Sequence, residues 1–345
     1  MASDAAAMAS QPSGRVACLF GSDRHHGRAY AGGPGLINEG STDIRLLRSD
    51  PDDFVRIHIP VNFGRLKGRL NLRDVDVVLN LVTDPDLNPQ VLLWAERLLK
   101  SFPGRVLNRP AAVRASSRDA IARLLADVEG LVTPVVVRFR GHAPLARAAI
   151  ARSGLRFPAI LRIAGSHNGE IIGVVADEAA LLAAIRPETT YLLTEFVDIG
   201  STDGLYHKIR IFFFGTRAVV RHCLVSDRWN VHGPDRERVM AHHPAWIERE
   251  RMLIAGGITA FPAMVRATLE RLRARIALDF FGIDFALLPD GRVLLFEANA
   301  TMNFFPLSTH PLFAYAGAPA VAAARAALDR LIEEGVQRPR VGAAS

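Results

Sequence analysis

Lysine is nearly absent from this 345-residue chain, in which only Lys67, Lys100 and Lys208 occur among 42 basic residues. The other 39 are arginines, spread along the chain without a dense basic run. A nucleic-acid-binding protein would concentrate such charges on one face or in one segment. We therefore attribute the formal net charge of +7 to a general preference for arginine. Nucleic-acid binding remains an alternative that rests on charge alone.

Cysteine and long apolar runs are also scarce. The two cysteines, Cys18 and Cys223, show no CxxC spacing, which argues against a disulfide scaffold and a thiolate zinc site and favours a reducing compartment. No apolar run approaches the roughly 20 residues needed to span a bilayer. The first ten residues carry an acid where a secretory signal has basic residues. We expect a cytoplasmic protein without a membrane partner.

Several common catalytic and nucleotide-binding motifs are missing. The chain has no Gly-Lys pair and hence no Walker A loop, and the glycines at residues 32–35 do not have dinucleotide-fingerprint spacing. HExxH and GxSxG are absent as well. If the protein binds a nucleotide, it must use another architecture.

Apolar periodicity and turn signals predict three parts. Residues 1–110 form an α/β domain, residues 111–195 a small α+β lobe, and residues 196–345 a C-terminal lobe. In the first part, strands are predicted at residues 15–20 and 75–81 and a helix at 90–100. The small lobe has a helix ending near residue 128 and strands at 134–139, 159–163, 171–175 and 191–197. The C-terminal lobe has two hairpins and helices at 245–254, 262–279 and 318–334.

The most informative segment is the hairpin at residues 282–306. Asp290-Gly291 favours a two-residue type I′ loop, which places Pro289 opposite Arg292 and Asp284 opposite Glu297. Like charges about 5 Å apart at Cβ destabilise a sheet unless something neutralises them. Asn299 adds a neutral oxygen on the same face, and oxygen ligands of this kind suit Mg²⁺. The alternative, acids paired with arginines on a solvated edge, fits poorly because the flanking residues are strongly apolar.

A second hairpin at residues 206–225 turns at Gly215-Thr216, which suits a type II′ loop. This register places Arg210 opposite Arg221, with Lys208 on the same face and apolar side chains on the other. Three clustered cations favour a polyanion such as the phosphates of a nucleotide. A solvated face with chance arginines is the alternative, and the retention of a rare lysine at this position counts against it.

A third segment, residues 157–175, has two strands around a loop of small residues at 164–169. The backbone N–H groups of such a loop can approach phosphates closely, and Arg162 ends the first strand. An ordinary turn, with His167 as a polar loop residue, is the alternative. The next strand carries one acid, Glu195, which is either a surface charge on an edge or part of a segment that holds a base and ribose.

In order and spacing, these features resemble the ATP-grasp superfamily over residues 109–306. The resemblance implies an α/β and α+β chain with the ATP-grasp fold: an N-terminal α/β domain followed by two α+β lobes that sandwich ATP. Arg162 occupies the position of a lysine, which keeps the charge but changes its shape. The implied catalytic residues are Arg210, Lys208 and Arg221; the nucleotide-binding residues are Arg162, Gly165, Ser166, His167, Gly169, Glu195, Phe196, Val197 and Lys208; the metal ligands are Asp284, Glu297 and Asn299.

Within the superfamily, the chain resembles the glutathione-synthetase and ribosomal-protein-glutamate-ligase-like proteins often attached to tetratricopeptide repeats, which it lacks. This implies an ADP-forming ligase that joins a carboxylate to an amine through an acyl phosphate, using ATP with Mg²⁺ or Mn²⁺. Its substrates would be small molecules or a peptide, and it could form a homodimer. A kinase and a non-catalytic nucleotide-binding module remain alternatives. Substrate specificity is assigned to His207, Trp229, His232 and Asn303.

Overall fold

The computed structural model describes residues 15–24, 29–31, 36–48, 54–60, 62–65, 72–166, 171–200 and 204–337. These residues form three main sheets and one short ribbon. The ribbon consists of β2 (Ala29–Ala31) and β3 (Leu36–Asn38). Short 3-10 helices occur at Ile44–Leu47, Phe63–Arg65, Met240–His242, Gly257–Ala260 and Pro311–Ala316.

The N-terminal sheet is parallel, with the strand order β4-β1-β5-β6. Its strands are β1 (Val16–Gly21), β4 (Val55–Ile59), β5 (Val77–Asn80) and β6 (Arg105–Leu107), with helices α1 (Pro89–Leu98) and α2 (Pro110–Arg114). Ala17 and Leu19 pack towards α1, whereas Val16 and Cys18 pack towards the C-terminal helix α9 (Ala318–Gln337). Burial on both faces explains why these strands are continuous apolar runs.

The central lobe is an antiparallel sheet in the order β10-β9-β11-β8. Its strands are β8 (Val136–Arg140), β9 (Ala159–Ile163), β10 (Gly173–Val175) and β11 (Thr190–Glu195). One face packs against α4 (Ala143–Ser153) and α5 (Glu178–Ala184), helices that the sequence analysis missed. Their end signals are present in the sequence: Gly154 ends α4 at φ +69°, and Asp177 caps α5 through Ala180.

The C-terminal sheet has the order β13-β12-β14-β15-β7. Its strands are β7 (Leu131–Val132), β12 (Tyr206–Phe214), β13 (Arg217–Ser226), β14 (Phe280–Leu287) and β15 (Val293–Asn299). The remaining helices are α3 (Arg118–Leu125), α6 (Asp235–Arg238), α7 (Pro244–Gly256) and α8 (Ala263–Arg275). The core face of β12, with Ile209, Ile211 and Phe213, packs in one cluster with apolar residues of α7 and α8. The short strand β7 pairs with β15, so residues 131–132 join this sheet although they lie within the predicted central lobe.

The loop between β14 and β15 differs from the prediction. Leu288 N–H donates to Arg292 O at 2.9 Å, and Gly291 takes φ +85° while Asp290 does not take a positive φ. The two-residue type I′ loop is therefore wrong, and Pro289 does not face Arg292, because Pro289, Asp290 and Gly291 form a three-residue loop. A β-bulge at Phe296 then restores the register, so the predicted pairing of Asp284 with Glu297 is confirmed.

The loop between β12 and β13 agrees with the prediction, but the pairing further along does not. Phe214 pairs with Arg217 and Gly215 has φ +60°, as a type II′ loop requires. The predicted pairing of Arg210 with Arg221 is wrong, because a bulge shifts the register by one residue and places His222 opposite Arg210.

Both cysteines are buried thiols, Cys18 in the N-terminal sheet and Cys223 in the C-terminal sheet. Burial raises the pKa of each to about 12, so neither is a reactive thiolate. Among the described residues, no single helix is long and apolar enough to cross a membrane; Pro244–Ala260 and Ala263–Arg275 pass together only as a pair bent by 68°.

Candidate active site

A cavity of about 1150 Å³ lies between the central lobe and the C-terminal sheet. Its roof includes Ile160 and Thr194 of the central sheet, and its floor is formed by strands β12 to β15. A pocket for one small ligand typically measures about 300–1,000 Å³, so this cavity has room for a nucleotide and a second reactant. The predicted residues that line it are Arg162, Gly165, Glu195, Phe196, Val197, Lys208, Arg210, Arg221, Asp284, Glu297 and Asn299.

Four polar side chains form one row across the floor. His222 on β13 pairs with Arg210 on β12, Arg210 pairs with Asp284 on β14, and Asp284 pairs with Glu297 on β15. Because neighbouring strands lie about 4.8 Å apart, the row spans about 14 Å from end to end. We refer to His222, Arg210, Asp284 and Glu297 as the floor row.

The two bulges determine which side chains reach the cavity. On a regular strand, successive side chains alternate between the faces, whereas a bulge lets two consecutive residues face the same side. Arg221 and His222 both line the cavity next to the first bulge, while Val220 and Cys223 on either side enter the core. At the second bulge, Phe296 and Glu297 line the cavity together.

Asp284 is held by two cations at the centre of the floor. Its carboxylate accepts hydrogen bonds from Arg210 Nε at 2.7 Å and Nη2 at 2.8 Å, and Lys208 Nζ lies 3.4 Å away. Burial raises the pKa of Asp284, but Arg210 and Lys208 outweigh this effect and lower it to about 2. Asp284 is therefore ionised at neutral pH and engaged with protein cations. It could bind a metal only if this ion-pair group opened.

Glu297 and Asn299 form the end of the floor that is suited to a cation. Arg118 Nη2 lies 2.7 Å from Glu297 Oε1, and Asn299 Nδ2 donates to the same carboxylate. Asn299 Oδ1 is buried and has no hydrogen-bond partner among the described residues, so an oxygen ligand is available beside the carboxylate. No group of three or more His, Cys, Asp or Glu side chains suited to a metal occurs among the described residues. A cation here would rely on this amide and on carboxylates, a donor set that suits Mg²⁺.

The roof contributes Arg162, whose buried Nε atom has no hydrogen-bond partner in the part of the chain that the structure describes. Burial, and then the nearby charge of Arg118, lower the pKa of Arg162. Gly165 lines the cavity at φ +78°, and a Cβ atom there would lie 2.9 Å from Leu87 of the N-terminal domain. The start of the predicted phosphate loop therefore packs against that domain.

Two other predicted loop residues, His167 and Gly169, lie outside the described residues. Ser166 is described, but it does not line the cavity and its hydroxyl donates to Ile163 O at 2.7 Å.

Glu195, Phe196 and Val197 follow one another along one wall of the cavity. Glu195 lies on β11, which has a neighbouring strand on each side, so it is not on an edge. Its carboxylate pairs with Arg156 at 2.8 Å. The ring of Phe196 meets Trp229 edge to face at 5.4 Å between centroids, and together they form an aromatic corner.

Four residues were assigned to specificity, and three of them line the cavity: Trp229, His232 and Asn303. His207 does not. It stacks on Trp246 and its Nε2 accepts from Leu287 N–H at 3.2 Å, because its position on β12 points away from the cavity.

The end of the floor opposite Glu297 is tied to the loop that follows β15. Arg221 Nε donates to Phe304 O at 2.7 Å and its Nη2 to Pro306 O at 3.1 Å, while Arg210 Nη1 donates to Asn303 O. On the other side of this loop, Asp43 accepts the N–H groups of Phe304 and Phe305 at 2.8 Å. We refer to residues 303–306 as the clamped loop.

Sequence reasoning missed Arg118, His222 and Asp43. Arg118 is one arginine among 39 and carries no distinguishing signal. A regular hairpin would have turned His222 into the core, and only the bulge brings it to the cavity. Asp43 lies 261 positions before the amide that it accepts, so no local pattern indicates its role.

No protein-family model matches the chain, and no curated protein matches it. Among solved structures, it is similar to the VanG D-Ala:D-Ser ligase from Enterococcus faecalis, with a TM-score of 0.53 and 12% sequence identity over 92% of this chain and 99% of that chain.

The chain has the ATP-grasp fold. The predicted fold class is thus confirmed.

Two further similar structures have a TM-score of 0.47. One is the RimK domain protein ATP-grasp from Sphaerobacter thermophilus DSM 20745, with 17% identity over 92% of this chain and 99% of that chain. The other is the D-alanine–D-alanine ligase from Bacillus anthracis complexed with ATP, with 12% identity over 93% of this chain and 99% of that chain. At such identities the ATP-grasp likeness concerns the fold, so the reaction has to be argued from the residues.

Proposed function

We propose that this protein is an ATP-dependent, ADP-forming ligase that joins the carboxylate of a small molecule or peptide to an amine through an acyl phosphate. The observation that carries the proposal is the floor row, in which Asp284 and Glu297 face each other beside Lys208 and Arg210 in a cavity with room for two reactants. The structural similarity to a protein named as a ligase supports the same class of reaction.

The nucleotide is assigned to the part of the cavity between roof and floor. Glu195, Phe196 and Val197 would hold the base and ribose along their wall, with Trp229 closing the corner. Arg162 from the roof and Lys208 from the floor would bind the phosphates, because both ammonium and guanidinium groups donate charge-assisted hydrogen bonds to phosphate oxygens.

Glu297 and Asn299 would hold a divalent cation, with Asp284 joining them if its contacts to Arg210 and Lys208 open. Bound Mg²⁺ or Mn²⁺ would neutralise charge on the nucleotide phosphates. The buried, unpartnered Asn299 Oδ1 supports this assignment.

In the proposed reaction, an oxygen of the substrate carboxylate attacks the γ-phosphorus, the bond from phosphorus to the β–γ bridging oxygen breaks, and ADP leaves. The amine nitrogen then attacks the acyl carbon, phosphate leaves and the nitrogen loses a proton to solvent. Lys208 and Arg210 would stabilise negative charge that develops over the floor. The roof, which packs on Leu87 through Gly165, would limit the entry of water to the acyl phosphate.

A non-catalytic nucleotide-binding module is the second candidate, and one observation favours it. Both oxygens of Asp284 are engaged by Arg210, which leaves the predicted metal site with one carboxylate that is not held in this way.

The test is release of ADP from Mg-ATP in the presence of pooled carboxylic acids, with hydroxylamine as a trap for the acyl phosphate. We expect acid-dependent ADP release with formation of a hydroxamate, reduced about 100-fold or more in Glu297→Ala, the loss typical of removing one group that stabilises transition-state charge. Asp290→Asn is the matched control, because Asp290 is an exposed acid in the loop of the same hairpin.

Two other outcomes contradict the ligase, and a third contradicts the assignment of its active site. ADP release with phosphate retained on the product and no hydroxamate indicates a kinase. Binding of ATP without turnover in any pool indicates a binding module. Turnover that is unchanged in Glu297→Ala shows that the floor row is not the active site.

A further inference from the structure

Arg221 is a buried cation without a carboxylate partner. Its side chain is 5% exposed, it lines the cavity, and no carboxylate oxygen lies within 4.0 Å of it among the described residues. The other cations of the floor are paired: Lys208 and Arg210 with Asp284, and Arg236 with Glu250. A buried charge without a counter-charge destabilises a fold, and Arg221 is therefore suited to an anion that comes from solution.

The guanidinium of Arg221 is fixed in place before any ligand binds. Two of its nitrogens, Nε and Nη2, donate to carbonyl groups of the clamped loop, and its third nitrogen, Nη1, makes no hydrogen bond to a described residue. The ring of Phe304 lies against it, with 5.1 Å from the guanidinium carbon to the ring centroid. An anion that binds Nη1 would therefore meet a donor whose position has already been set.

The two acids whose charges act on Arg221 have other partners: Glu250 pairs with Arg236, and Asp43 binds backbone N–H groups. The charge of Asp43 influences Arg221 through space, but both of its oxygens accept backbone N–H groups of the clamped loop. Asp43 therefore orders the wall beside Arg221 without contacting the guanidinium.

His222 adds a second polar group at the same end of the floor. Its Nε2 atom is buried with no hydrogen-bond partner from any described residue, and burial together with the surrounding charges of Arg210 and Arg221 lowers its pKa well below the usual value. A neutral imidazole does not compete with Arg221 for an anion. It can donate one hydrogen bond to an acid group or accept one from an amine.

This end of the floor is distant from Glu297, whereas Asp284 at the centre lies two strands from His222. His222 and Glu297 stand at opposite ends of the floor row, about 14 Å apart by three strand spacings of about 4.8 Å.

We propose that Arg221, with His222 beside it, forms a second anion subsite that binds a carboxylate of a substrate, distinct from the carboxylate that is activated by ATP. The substrate is then either a dicarboxylic acid or an amino acid that serves as the amine and keeps its own carboxylate free. This proposal rests on the proposed function for the identity of the reaction, but the subsite itself is defined by binding.

The test is calorimetric binding to the full chain saturated with Mg²⁺ and AMP-PNP, a nucleotide that is not turned over. The experiment has two arms, because the carboxylate at Arg221 could belong to a dicarboxylic acid or to an amino acid. One uses dicarboxylates from malonate to adipate against their monoamides, and the other uses α-amino acids against their amides. In the arm that supplies the substrate, we expect amidation to weaken binding about tenfold or more, because the charge-assisted hydrogen bond to Arg221 is lost.

Arg221→Gln removes the charge and should reduce the difference between acid and amide to less than about twofold. Asp43→Asn is the matched control, because it loosens the clamped loop from the other side and leaves the charge of Arg221 in place. It should keep the preference for the acid. If Arg221→Gln does not fold, a crystal structure of the wild-type chain with AMP-PNP and the tightest acid decides, with the carboxylate expected at Arg221 Nη1.

The proposal is overturned if acids and amides bind the wild-type chain equally in both arms, if no acid binds once AMP-PNP is present, or if Arg221→Gln keeps the full preference. The ligase proposal fails separately. Acids that bind through Arg221 but never give a hydroxamate contradict the ligase and leave the subsite, whereas hydroxamate formation from acids bound no better than their amides contradicts the subsite and leaves the ligase.

Discussion

The two ends of the floor row use the same backbone device and carry opposite chemistry. On β15, a bulge turns Phe296 and Glu297 together towards the cavity, next to the amide oxygen of Asn299. On β13, a bulge turns Arg221 and His222 together towards the same cavity. One end therefore presents oxygen ligands for a cation, and the other presents nitrogen donors for an anion.

The difference shows what a bulge contributes to a site of this kind. Regular alternation would give each strand one cavity-facing residue at this level, whereas each bulge supplies two. Between the ends, Arg210 and Asp284 form a buried bidentate pair that faces both. The floor is thus divided into a cation-binding end and an anion-binding end, with a neutralised centre that keeps them apart.

The largest expected effect comes from breaking that centre. Arg210→Met leaves Asp284 buried with only Lys208, 3.4 Å away, as a cationic partner. Loss of one partner of a buried pair typically costs about 3–5 kcal/mol, and we expect a decrease of this size in the free energy of unfolding measured with urea. Arg156→Met is the control, because Arg156 is the exposed partner of its pair with Glu195 and should contribute no more than about 1 kcal/mol. Equal losses in both variants would show that the pair of Arg210 with Asp284 contributes no more to stability than the pair of Arg156 with Glu195.

One pairing in the floor row was predicted correctly from the sequence, although the loop type assumed for that prediction was wrong. The pairing of Asp284 with Glu297 followed from a two-residue loop that does not exist, and it holds because the three-residue loop and the Phe296 bulge shift the register in opposite directions. On the other hairpin the loop was correct and the bulge was not foreseen, so Arg210 was paired with the wrong residue. Apolar alternation indicates strands and faces, but a bulge leaves no mark in that pattern.

Long-range contacts set the second limit on prediction. Arg118 reaches Glu297 from the start of α3, and Asp43 reaches the clamped loop from the N-terminal domain. Both contacts depend on how the sheets pack, which periodicity within a segment does not encode. The residues predicted for the site were those within one hairpin or one strand, where spacing along the chain determines spacing in the fold.

A smaller effect should appear at the anion-binding end as pH changes. Burial raises the pKa of Asp43 from 3.8 to about 6, with Asp43 fully buried in the fold. The folded state therefore binds more protons than the unfolded state between these values, and the free energy of unfolding falls as the pH rises through this window. At 1.36 kcal/mol per pH unit, the contribution is about 3 kcal/mol.

Urea unfolding of wild type and Asp43→Asn at pH 4, 5, 6 and 7 measures this contribution. We expect the stability of wild type relative to the variant to fall by about 2.4 kcal/mol from pH 4 to pH 7, the part of the contribution that lies above pH 4, because asparagine does not titrate. Asp290→Asn, a change in the exposed loop of the other hairpin, should show no such fall, because the hydrogen bonds from Arg292 lower the pKa of Asp290 and any change with pH runs in the opposite direction. A constant difference for Asp43→Asn would mean that the pKa of Asp43 is the same in the folded and unfolded states.

The smallest expected effect tests whether the two ends of the floor row bind their ligands independently. Arg118→Ala removes the cation at 2.7 Å from Glu297 and also a charge close to Arg162. Because Arg118 also lines the cavity, we assign its guanidinium to a phosphate oxygen of the nucleotide and expect AMP-PNP affinity in the presence of Mg²⁺ to fall about tenfold, the equivalent of one hydrogen bond to a charged group. Arg123→Ala on the same helix is the control, since its pair with Asp119 is exposed on the arginine side and should leave AMP-PNP affinity unchanged.

Arg118 stands at the Glu297 end, so its removal should change the affinity for the carboxylate probe at Arg221 less than it changes the affinity for AMP-PNP, because the interaction between charges decreases with distance. Comparable losses of nucleotide and carboxylate binding in Arg118→Ala would mean that one ligand occupies the whole floor. Loss of nucleotide binding alone would mean that the two ends of the floor row, each formed at a β-bulge, bind separate ligands.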